Sequence, residues 1–106
     1  MANFVFAYHG GGKPETPEEG ERLKGLWWKW VEDLGDAVIN PGTPVGMSKT
    51  VSAEGVTDDG GPNPLMGFSV IAADDMDAAL EIAKSCPHLL MKGASIEVAE
   101  EFQMTR

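Results

Sequence analysis

This sequence predicts an α+β domain in which one antiparallel sheet carries two helices on a single face. Three observations predict it. Short aromatic and β-branched runs alternate with two amphipathic helical patterns, the runs follow the order strand, helix, several strands, helix, strand, and clusters of glycine, proline and aspartate separate them. The 106 residues are the size of one domain, with no internal repeat or linker, so residues 1–106 are read as a single unit.

Residues 3–8 open the chain with Phe4, Val5, Phe6 and Tyr8, too short a run for a helix and followed by glycines, which reads as a buried strand. His9 to Pro14 is loop chemistry. Thr16 then stands as N-cap, with Pro17 at the first helical position and Glu19 completing a capping box, and the helix is expected over residues 17–34. On a 3.6-residue wheel Leu23, Leu26, Trp27, Trp30 and Leu34 form one apolar stripe with Val31 at its margin, while Trp28 falls outside it. Gly35 suits the helix end, and residues 37–40 form a short strand closed by Pro41 and Gly42. Residues 48–54 alternate with a period of two and are polar enough for an edge strand of the sheet. Residues 55–67 are dense in turn formers and read as a long exposed loop, and residues 68–73 read as a central strand. Asp74 or Asp75 caps a second helix reaching Ser85, with Met76, Ala79, Leu80 and Ala83 inward and Pro87 ending it. A last strand over residues 95–100 completes the split βαβ order of ferredoxin-like domains, βαββαβ with one extra edge strand.

Eight basic against seventeen acidic residues give a net charge of -9, which disfavours nucleic acid and anionic membrane surfaces as partners. The start of the chain lacks a basic, apolar leader pattern and no stretch approaches the roughly 20 apolar residues of a membrane span, so a cytoplasmic location is expected. A single cysteine, Cys86, excludes an internal disulfide and any multi-cysteine zinc site.

Chemistry is carried by few residues. His9 meets a glycine-rich loop at a strand end, where backbone is open to a ligand and an imidazole can act as general acid or base. Lys49 can place a cation at a pocket mouth to receive a carboxylate. Trp27 and Trp30 fall on the buried stripe, as core or as pocket lining, and Trp28 should cover a partner surface or the edge of a cleft. Gly10, Gly11, Gly12 and Lys13 do not match a phosphate loop, because no glycine lies four residues before the Gly-Lys pair and Pro14 follows. His88, flanked by Pro87 and Leu89, reads as a hydrogen-bonded structural histidine.

Several segments in order, the residue 4–8 strand, the Trp27 helix, Asn40-Pro41-Gly42, Ser48-Lys49-Thr50-Val51, Asn63-Pro64-Leu65-Met66-Gly67-Phe68, Ala78-Ala79-Leu80, Cys86-Pro87-His88 and residues 93–98, resemble the YCII-related proteins. The branch with an Asp-Gly-Pro-Phe turn is the most similar; here Asp59-Gly60-Gly61-Pro62-Asn63 occupies that place, and the first helix has no histidine. The resemblance implies a dimeric α/β barrel, two ferredoxin-like domains joined through their sheets, in a group that includes isomerases, monooxygenases and ligand-sensing modules.

The expectation is a homodimeric, cofactor-free enzyme that acts on a small organic molecule, anionic in one version, by acid–base chemistry. Its alternative is a non-catalytic ligand-binding module. The expected site has His9 as catalytic residue and Trp27, Lys49 and Asn63 as ligand contacts, with no metal and no cofactor. The expected dimer face is the alternating Phe4, Phe6 and Tyr8, with Val70 and Ile96 or Val98.

Overall fold

Residues 1–104 are described by a computed structural model, whose elements follow the order βαββαβ with a small hairpin inserted after the second strand. Strand β1 (Ala2–His9) leads into helix α1 (Pro17–Leu34), then β2 (Val38–Pro44), the short β3 (Thr50–Ser52) and β4 (Gly55–Thr57), β5 (Leu65–Ala73), helix α2 (Met76–Lys84) and β6 (Ser95–Glu100). The sheet order is β2-β5-β1-β6 and every neighbouring pair is antiparallel, the ferredoxin-like arrangement.

Local chemistry sets the helix ends. The Glu19 amide donates to Thr16 Oγ1 at 3.1 Å, so the cap is formed, while the Glu19 carboxylate turns to Arg22 at 2.8 Å instead of closing the box. In α2 the Ala78 amide donates to Asp75 Oδ1 at 2.9 Å, which makes Asp75 the cap. Gly35 adopts a positive φ of 57° at the end of α1.

The core lies between one sheet face and both helices. Phe4, Phe6, Tyr8 and Ile71 from the sheet meet Trp30, Ala79 and Ala83 from the helices, with Ile96 and Val98 packed against them. This overturns the expected dimer face. Phe4, Phe6, Tyr8, Ile96 and Val98 point at the helices, and of the residues expected there only Val70, paired with Val5 in the register, belongs to the opposite face. The open face carries Asn3, Val5, Ala7 and His9 along β1, with Val70 and Ala72 beside them on β5.

Two further expectations change. The segment around residues 48–54 does not extend the main sheet: β3, within it, pairs with β4, at the start of the expected loop, as a separate two-stranded hairpin. On α2 the inner face is Ala79 and Ala83, with Ala78 and Ile82 at its edges, whereas Met76 and Leu80 are about 40% exposed (39% and 40%).

Candidate functional site

A cleft of about 550 Å³ opens between α1 and the sheet, at the end of the molecule where β1 runs into the glycine loop. Tyr8 from β1 lies in it, and Leu23, Lys24, Trp27 and Trp28 of α1 form one wall. Residues 41–45 of β2 and its continuation form the facing wall, with residues 66–68 of β5 beneath, and Pro87, His88 and Met91 close the end.

The aromatic residues hold one another. Tyr8 meets Trp27 edge to face with centroids 5.5 Å apart, Trp27 leans on Trp30 at 5.2 Å, and the His88 ring lies 5.1 Å from Tyr8. Trp30 is core, whereas Trp28, 49% exposed, stands at the rim.

Polar groups in the cleft are few and fixed. The Tyr8 hydroxyl donates to Ser69 Oγ at 2.8 Å, and that hydroxyl donates to the Pro41 carbonyl at 2.8 Å, so a relay ties β1, β5 and β2 together. Burial raises the Tyr8 phenol well above its ordinary range, with the Cys86 thiol beside it as the second cause. Burial likewise raises Cys86 to about 11, against a lowering hydrogen bond from the His88 backbone, so near neutral pH it is a thiol and not a nucleophile.

His88 is buried and its Nε2 lies 2.8 Å from the His9 carbonyl. A carbonyl only accepts, so Nε2 carries the hydrogen, and in the neutral ring Nδ1 keeps a free lone pair. That fixes one tautomer beside the cleft. The backbone approach that permits this is tight: a Cβ on Gly10, at φ +69°, would run into the Gly93 carbonyl.

Of the four residues expected to form the site, Trp27 lines this cleft and His9, Lys49 and Asn63 do not. Alternation along β1 turns the His9 ring to the face opposite Tyr8. There its Nδ1 lies 3.0 Å from the Asn63 carbonyl and 3.2 Å from that of Pro64, and its Nε2 lies 3.2 Å from Glu97 Oε1. His9 and Asn63 are thus brought together, through the Asn63 backbone, as a clamp between β1, β6 and the loop before β5. Lys49 stands apart in the hairpin region, paired with Asp58 at 3.2 Å, both side chains exposed.

Trp28 stands at the cleft edge, one of the two places expected of it, whereas Lys24 and His88 were missed as lining residues. Trp28 and Lys24 sit off the apolar stripe, and His88 arrives from a turn far along the chain. One signal was present: Lys24, Trp27 and Trp28 are three and four residues apart and therefore share a helix surface. Among the described residues no cluster of His, Cys, Asp and Glu is placed to hold a metal ion, and no helix is long and apolar enough to cross a membrane.

The strand order defines a ferredoxin-like α+β protein, and an aromatic-lined cleft lies between its first helix and the sheet. Among solved structures the chain is similar to the 5-chloro-2-hydroxyhydroquinone dehydrochlorinase TftG of Burkholderia phenoliruptrix AC1100, in complex with 2,5-dihydroxybenzoquinone. The identity is 13%, the match covers 92% of this chain and 91% of that chain, and the TM-score is 0.52. A likeness at that identity establishes the shared fold and not membership of the YCII-related family. No protein-family model and no curated protein matches the sequence.

Proposed function

We propose that this protein binds a small aromatic molecule in the cleft between α1 and the sheet and converts it by acid–base chemistry without a cofactor, His88 serving as the proton acceptor. The observation that carries the reading is the cleft itself: about 550 Å³, walled by Tyr8, Trp27 and Trp28, with His88, its tautomer fixed by the His9 carbonyl, among the lining residues. The fold of a dehydrochlorinase that acts on a substituted hydroquinone supports the substrate class. His9 contributes in this reading through its carbonyl, which orients the His88 ring, and not through its own imidazole.

One observation favours the second reading, a binding module. Among the described residues no carboxylate lines the cleft, and His88 has no acidic partner inside it. Titration of 15N-labelled protein with 2,5-dihydroxybenzoquinone and simple hydroquinones is expected to shift the Trp27 and Trp28 indole signals. Conversion of a bound hydroquinone should fall by about a hundredfold in His88→Gln, whose amide still donates to the His9 carbonyl but lacks the ring acceptor. Binding without conversion selects the module, and shifts confined to other parts of the chain would remove both readings.

We further propose that two copies join through the open sheet face, Val5, Ala7, Val70 and Ala72 of each copy covering the other, because both helices occupy the opposite face. Light scattering at micromolar concentration should give twice the 11.3 kDa chain mass; a value equal to it rejects the pairing.

A further inference from the structure

We infer that the ligand of the cleft is a planar ring bearing one negatively charged oxygen group, received at the cleft mouth by Lys24 while the ring lies against Tyr8, Trp27 and Trp28. This rests on the reading of the cleft as a site for a small aromatic molecule and goes further by fixing the charge of the ligand and the residue that selects it.

The first observation is an exclusion. Seventeen of the 106 residues are acidic, yet no Asp or Glu lines the cleft. In a chain of net charge -9 an anion is repelled by most of the surface, so a concave wall free of carboxylates is the place where its approach costs least. The second observation is a cation in that wall. Lys24 lines the cleft from the exposed side of α1, and its neighbours one turn on are Trp27 and Trp28. Its stem can run along the indole surface and leave the ammonium at the opening.

The third observation concerns pairing. The other basic residues of α1 are engaged, Arg22 with Glu19 at 2.8 Å and Lys29 with Asp33 at 3.3 Å. Lys24 takes part in no ion pair among the described residues, although Glu21 lies three residues before it. Its charge is therefore available to a ligand. The rest of the wall is mostly apolar, and its polar side chains Tyr8, His88 and Thr43 already donate their hydrogens to Ser69, to the His9 carbonyl and to the Pro44 carbonyl. An anion held in the cleft thus finds its strongest partner in the Lys24 ammonium.

The test uses 2-naphthoate and its neutral isostere 2-naphthamide, titrated into wild type, Lys24→Met and Lys24→Arg, with the Trp27 and Trp28 indole signals reporting occupancy. Naphthoate is expected to bind wild type about five- to tenfold more tightly than naphthamide, a preference that shrinks in high salt. Lys24→Met should erase the preference with naphthamide affinity unchanged, and Lys24→Arg should retain it. Equal affinities in wild type, or a preference that survives Lys24→Met, would overturn the inference and leave the cleft standing as an aromatic site. If neither compound moves the two indole signals, the underlying reading of the cleft falls with it.

Discussion

Trp30→Ala is expected to lower stability by about 3 to 5 kcal/mol, the range for removing a large aromatic from a packed core. Trp30 is 7% exposed, the one fully buried residue of α1, and it packs on Trp27 while meeting the sheet cluster around Phe4 and Phe6. Its indole Nε1 donates to Ser85 Oγ at 2.9 Å, so the same truncation also unties α1 from the end of α2. Trp28→Ala provides the contrast: at 49% exposure it should cost under about 1 kcal/mol. Denaturant midpoints of the two variants measure the difference, and a Trp28 variant as unstable as the Trp30 one would contradict this packing.

Gly42→Ala is expected to cost on the order of 3 kcal/mol or more, although it adds a single methyl group. Gly42 has φ +74°, a region L side chains rarely adopt, and a Cβ built there would collide with the Phe68 carbonyl across the β2–β5 ladder. Since backbone cannot swing aside as a side chain can, β2 must pull away from β5. The facing wall of the cleft goes with it, because Gly42 and its neighbours form that wall. The variant should therefore lose ligand-induced shifts of the Trp27 indole as well as melting temperature. Gly46→Ala is the control: Gly46 lacks a positive φ and a Cβ there meets nothing within 4 Å, so its melting temperature should stay near wild type.

The fold was legible where local chemistry and periodicity agreed. Thr16, Pro17 and Asp75 mark helix starts through bonds made within one turn, and the Leu23 to Leu34 stripe gives the buried side of α1 without reference to anything else. The period of two over residues 48–54 marked the strand that contains β3, but its partner β4, three residues long among turn formers, carries almost no period, so the hairpin was not legible. Strand parity shows which residues of β1 share a face. It does not show which face the helices cover, and so Phe4, Phe6 and Tyr8 read equally well as core or as dimer surface until α1 is placed. The same parity separates two neighbours: Tyr8 lines the cleft and His9, one residue on, does not. Trp27 was readable from the wheel, whereas His88 depends on a turn after α2 folding back over β1, a tertiary event that residue order alone does not encode.

The two borders of the sheet bear on how copies can associate. β2 contributes Pro41 and Pro44, which have no amide hydrogen to offer, and its register slips twice against β5. β6, the opposite border, carries Glu97 on the open face and Glu100 on the other. Proline, bulges and acidic side chains on outer strands are the means by which proteins stop a sheet from recruiting another edge. Growth by strand addition, the route to open-ended fibres, is thus disfavoured at both borders.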